Sequence, residues 1–133
     1  MSEIVRLDKP YWKSFRLTDG KIRWLYTDEK TALRIDNKEW FNKSTTGVII
    51  YKGYETEEYS TEPISETIYQ ISICYQISNY FGDTSGLHFR NKIYVYVDGK
   101  LYKQENYKVV EVKRITKELK GILKELEHNF KNN

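Results

Sequence analysis

The chain is poor in the residues that stabilise small secreted domains and in those that assemble most catalytic sites. It has one cysteine, Cys74, in 133 residues. An internal disulfide and any multi-cysteine zinc site are therefore excluded. It has two histidines and two prolines. Seven glycines and two prolines are too few for a low-complexity or collagen-like chain. No apolar run approaches the ~20 residues that span a bilayer, and the start MSEIVRLDKPYW carries no apolar leader segment. The expectation is a cytoplasmic protein with no membrane contact. A Walker loop, a His-Glu-x-x-His helix and a dinucleotide glycine pattern are all missing.

What is abundant is aromatic. Aromatic residues make up 15% of the chain and tyrosine alone contributes 12. Each phenol brings a large contact area with a polar tip, so a tyrosine-rich core or working surface follows. The length fits one domain over residues 1–133, large enough to bury a core without staples. The net charge is only +3. It is unevenly placed, however. Residues 5–26 hold six cations against two acids and residues 90–124 ten against four, whereas residues 54–66 hold five glutamates and no cation.

Residues 11–26 read as a hairpin turning at Asp19-Gly20, because Asp-Gly between alternating segments favours a two-residue turn. That register sets Arg16 opposite Arg23, with Phe15, Leu17, Ile22, Trp24 and Tyr26 on an apolar face. Trp12, Arg16, Lys21 and Arg23 fall on the other face, together with Leu25. Two like charges facing each other across a strand pair are unfavourable without an anion. Two anions are available: the chain's own glutamate loop, or a phosphate. Trp12, Arg16, Lys21 and Arg23 are accordingly the candidates for a nucleotide or a single-stranded nucleic acid, since arginine forks onto phosphate while a ring stacks on a base.

Residues 27–47 fit either a short helix capped by Thr27 or Asp28 or a strand pair that includes TALRI, the strand pair being preferred, and GVIIYKGY fits a short strand. YETEEYSTEPISE, residues 54–66, reads as an acidic solvated loop, with Pro63 stopping a strand or helix. TIYQISICYQISN alternates almost strictly and predicts a long central strand. KIYVYVDGKLYKQ predicts a second hairpin at Asp98-Gly99, and YKVVEVK one further strand. Ile115, Leu119, Ile122, Leu123, Leu126 and Phe130 recur at helical spacing and predict an amphipathic helix over 115–130. Tight turns between the strands imply an α+β domain, mainly antiparallel, with the helix across the sheet.

Catalysis finds little support. Cys74 and His88 would have to meet in space to form a nucleophile pair. His88 reads as a polar loop residue, His128 as a solvated helix residue. No catalytic residue, metal ligand or cofactor site is assigned. Tyr94 and Tyr96 stand on the sheet face opposite Ile93, Val95 and Val97. With Tyr54, Glu55, Glu57, Glu58 and Tyr59 of the acidic loop they are the candidates for a protein interface. The expectation is a small non-enzymatic binding protein that occludes or sequesters a partner, as inhibitors, immunity proteins and phage counter-defence factors do. Self-association through the same surfaces or a strand edge is compatible with it.

Overall fold

The computed structural model describes residues 2–6, 11–16, 22–27, 31–35, 41, 44–58, 60–64, 67–77, 88–105 and 108–131. For 2–6, 11–16, 22, 23, 31, 77, 88, 89, 108 and 131 it describes the backbone alone. The strands are β1 (Ser2–Arg6), β2 (Tyr11–Arg16), β3 (Ile22–Thr27), β4 (Thr31–Ile35), β5 (Thr45–Thr56), β6 (Thr67–Ile77), β7 (His88–Val97), β8 (Lys100–Glu105) and β9 (Lys108–Glu111). One helix, α1 (Lys117–Lys131), follows. The fold is an α+β domain with a predominantly antiparallel sheet packed by the C-terminal helix, as the sequence predicts. No helix of the described residues is long and apolar enough to cross a membrane.

The strands follow the order β1-β4-β5-β6-β7-β8-β9, with β3 also paired to β5 and β2 to β3. The β7–β8 hairpin turns at Asp98 and Gly99, with φ of 54° and 73°. Both central positions thus take positive φ, the signature of the tight turn an Asp-Gly pair favours. β6 is the long alternating strand expected, and it joins β5 to β7 along nearly its whole length.

β5 organises the rest. Its free edge carries two strands in succession: β4 pairs with Val48–Tyr51, and β3 with Tyr54–Thr56. Between them lies Gly53, which is buried. A Cβ there would overlap the Tyr26 carbonyl oxygen and press on Leu25 Cδ1 at 2.9 Å. The absence of a side chain lets β3 cross this closely.

The sheet has two apolar faces. On one, Leu33, Ile35, Val48, Ile50, Ile71 and Ile73 meet Leu119, Ile122, Leu126 and Phe130 of α1. On the other, Leu25 of β3 and Val109 of β9 share a cluster with Ile68 and Val95 of the central strands. β9 ends the strand path, β3 stands off it beside β5, and β2 also approaches β9. The sheet therefore curls over this second face and closes it with its own margins.

The helix begins two residues later than its hydrophobic spacing suggests. Thr116 caps it, accepting the Leu119 N–H on Oγ1 at 3.3 Å and the Lys120 N–H on its carbonyl at 2.9 Å. Ile115 lies in the connector before the cap but still packs on the core.

Candidate functional site

The arginine hairpin differs from its expected form. β2 and β3 do pair, but Phe15 is opposite Arg23, Arg16 opposite Ile22, and Ser14 opposite Trp24. The register is one residue off that of a two-residue Asp-Gly turn, and a one-residue slip exchanges the faces of a strand. Arg16 and Arg23 are not cross-strand partners, so the like-charge pair that called for an anion does not exist. Leu25, expected on the charged face, is only 1% exposed. The backbones of Trp12, Arg16 and Arg23 are placed in the two strands. Lys21 and the turn at Asp19-Gly20 lie outside the described residues.

The tyrosine face is corrected as well. Tyr94 is 6% exposed and belongs to the cluster beneath α1. Tyr96 is half-buried, its hydroxyl donating to Glu127 Oε1 at 3.5 Å. The helix thus covers the tyrosine face of β7, while the curl of the sheet covers Val95. These two tyrosines are core and margin, and no open tyrosine surface exists on β7.

Burial beneath the helix raises the phenol pKa of Tyr69, Tyr94 and Tyr96. Tyr75 is pushed up to about 12, first by burial, then by the charge of Glu118 and by Tyr94, against a smaller opposing effect of its hydrogen bond with Thr45. The neutral phenol is the form the fold favours. Below pH ~10 both folded and unfolded chains hold the proton and this contribution is complete. As pH rises from ~10 through ~12 the unfolded chain ionises first, and the contribution is lost. Stability is therefore expected to fall over that window, more steeply for the wild type than for Tyr75→Phe. Denaturant melts with phenolate absorbance check this; identical pH dependence in the two proteins would remove Tyr75 from the account.

The acidic segment is partly strand. β5 continues through Thr56, because Trp24, Leu25 and Tyr26 of β3 pair with its last three residues. Glu55 is consequently buried at 8% exposure and is not a solvated loop carboxylate. Tyr54 is half-buried with its ring 5.6 Å from that of Tyr26, edge to face. Its hydroxyl donates to the Thr61 carbonyl at 2.9 Å.

Beyond Thr56 the chain forms a braced turn. The Ser60 N–H donates to the Glu57 carbonyl at 3.0 Å, and the Glu62 N–H to Ser60 Oγ at 3.1 Å. The Ile64 N–H returns to the Glu55 carbonyl at 2.9 Å, closing the loop onto the end of β5. Glu57, Glu58 and Glu62 are exposed on it. So is Ile64, at 58% the most exposed of the large hydrophobic side chains described. Tyr59 lies outside the described residues.

Cys74 and His88 do not share a row. Cys74 pairs with Asn91 and His88 with Ile77, which sets their backbones about 10 Å apart along the ladder. His88 is the first residue of β7, where the sequence suggested a loop.

One group of charges was not singled out by residue in the sequence, although the excess over residues 90–124 pointed to the region. Lys113, Arg114, Lys117 and Lys120 line an open groove of about 900 Å³ at the first turn of α1. Nearby, β7 and β8 part company beyond the pair Tyr94↔Lys103. A second groove of about 390 Å³ opens there, lined by Arg90, Lys92 and Lys103 among others. Lys92 Nζ sits 5.2 Å above the Tyr75 ring.

Comparison with known proteins finds no matching family model, no significantly similar curated protein and no significantly similar solved structure.

Proposed function

We propose that this chain is a small non-enzymatic binding protein of the cytoplasm. It acts by occluding or sequestering a protein partner, in the manner of an inhibitor, an immunity protein or a phage counter-defence factor. The observation that carries the reading is the braced acidic loop. Three exposed carboxylates, Glu57, Glu58 and Glu62, share the segment with an exposed Ile64, and four hydrogen bonds internal to the segment brace it. A loop already held in one conformation loses little entropy on docking. An apolar anchor on an acidic loop suits a basic partner surface with a small apolar pocket, the carboxylates steering encounter and the isoleucine adding contact area.

The test uses Glu57→Gln/Glu58→Gln/Glu62→Gln and, separately, Ile64→Ala. Glu55 is left intact because it is buried. Immobilised wild-type protein is expected to retain a partner at low salt that the triple variant retains at least tenfold less, with no change in thermal stability. If all three proteins retain the same set in the same amounts, the loop is not the contact.

A further inference from the structure

We infer that the surface formed by the β9–α1 connector, the first turns of α1 and the splayed ends of β7 and β8 binds the phosphate backbone of duplex nucleic acid without regard to sequence. Seven cations from four elements gather there. Lys113 and Arg114 come from the connector, Lys117 and Lys120 from α1, Arg90 and Lys92 from β7, and Lys103 from β8.

The start of α1 links the two grooves. Lys103 is the register partner of Tyr94. Glu118 in the first turn of α1 is bonded to Thr45, Thr45 is the register partner of Tyr75, and Lys92 lies over the Tyr75 ring. Two carboxylates lie among these groups, and neither forms an ion pair with the cations of the connector or α1. Glu118 accepts the Thr45 hydroxyl at 2.7 Å, and Glu105 pairs with Lys103 at 3.3 Å. Lys113, Arg114, Lys117 and Lys120 are all exposed and have no ion-pair partner among the described residues.

The layout selects the ligand. The cations are spread along an open surface and do not converge on one point, so they match a row of phosphates better than a single small anion. A duplex offers one charge per ~1.7 Å of its axis. Single strands are held largely by stacking on exposed rings. The rings described here are Tyr94, which is buried, and Tyr75, which is half-buried beneath Lys92. No exposed ring is described on this surface, and the cations described on it address phosphates. The Thr45–Glu118 bond ties the start of α1 to the start of β5, whereas the acidic loop follows the end of that 12-residue strand. The start of α1 and the acidic loop therefore stand at opposite ends of β5.

The experiment is fluorescence anisotropy of a labelled duplex of about 20 base pairs, with single strands as competitor, at ~50 and ~200 mM salt. Four phosphate contacts predict an affinity about 150-fold weaker at the higher salt. Lys113→Gln/Arg114→Gln/Lys117→Gln/Lys120→Gln is expected to bind at least tenfold more weakly at low salt and to flatten the salt dependence. Lys52→Gln, over the Phe130 ring at the far end of α1, is expected to change nothing. Should the quadruple variant not fold, its two halves, Lys113→Gln/Arg114→Gln and Lys117→Gln/Lys120→Gln, carry the same test with partial losses. No duplex binding at ~50 mM salt overturns the inference. So does wild-type affinity in the variants, or displacement of the duplex by single strands at lower concentration than by unlabelled duplex.

Discussion

Gly53→Ala is expected to destabilise the domain by about 3 kcal/mol, although alanine is ordinarily the better strand residue. A Gly→Ala change at an unstrained position stabilises by ~0.4–1 kcal/mol through the unfolded chain. Here the native space decides the sign. The added Cβ overlaps the carbonyl oxygen of Tyr26 and lies 3.0 Å from its carbonyl carbon, with Leu25 Cδ1 at 2.9 Å. A side chain could rotate away, but the Tyr26 peptide is fixed by its own ladder to Tyr54. Relief requires β3 to lift from β5. That movement pulls Leu25 out of the second core cluster and loosens Glu55 and Thr56, which β3 holds in the strand. The acidic loop starts at the next residue, so partner capture is expected to weaken in the same variant. Urea denaturation measures the first effect. A midpoint within experimental error of the wild type would mean that β3 does not cross β5 this closely.

The local elements were readable because each rests on neighbours in sequence. β6 showed itself by alternation, the β7–β8 hairpin by Asp98-Gly99, and α1 by its apolar spacing. TALRI, which fits a strand or part of a short helix, is β4. What period two cannot say is which face of an amphipathic strand receives the cover. Tyr94 and Val95 are both good interior residues, and both are buried. Which lies under α1 depends on the path of the chain from β9 to the helix, and which is closed off depends on β3 and β9 meeting across the sheet. Both are long-range facts. Glu55 shows the same limit. Its neighbours in sequence are acidic and polar, and Pro63 argues for a loop, yet pairing with β3 from thirty positions earlier draws it into the ladder. The β2–β3 register failed for a smaller reason: an Asp-Gly pair names a favoured turn without fixing the loop length around it. The cations of the grooves were countable in the sequence, but only the splay of β7 from β8 and the placing of α1 bring them to one surface.

Ile122→Ala is expected to cost about 3 kcal/mol, and it tests whether α1 is seated as described. Ile122 is fully buried, in a seam with Leu119, Leu126 and Phe130 at steps of three and four residues. Truncation removes most of a buried aliphatic side chain and leaves a cavity, for which ~2–5 kcal/mol is usual. Alanine returns about 0.4 kcal/mol in helix propensity, too little to reverse the sign. Lys124→Ala, two positions on and exposed, is expected to stay within ~0.5 kcal/mol of the wild type. The tyrosines give an independent readout. Tyr69, Tyr75, Tyr94 and Tyr96 resist ionisation chiefly because they are buried. A loosened helix admits water to them, so their titration in Ile122→Ala is expected to move down toward the ordinary pH of ~10. Loss of less than ~1 kcal/mol together with an unmoved phenolate titration would show that the seam is not where the helix bears on the sheet. Loss of stability with an unmoved titration would separate the two roles, leaving the helix as cover for Ile71 and Ile73 but not as the cause of the raised phenols.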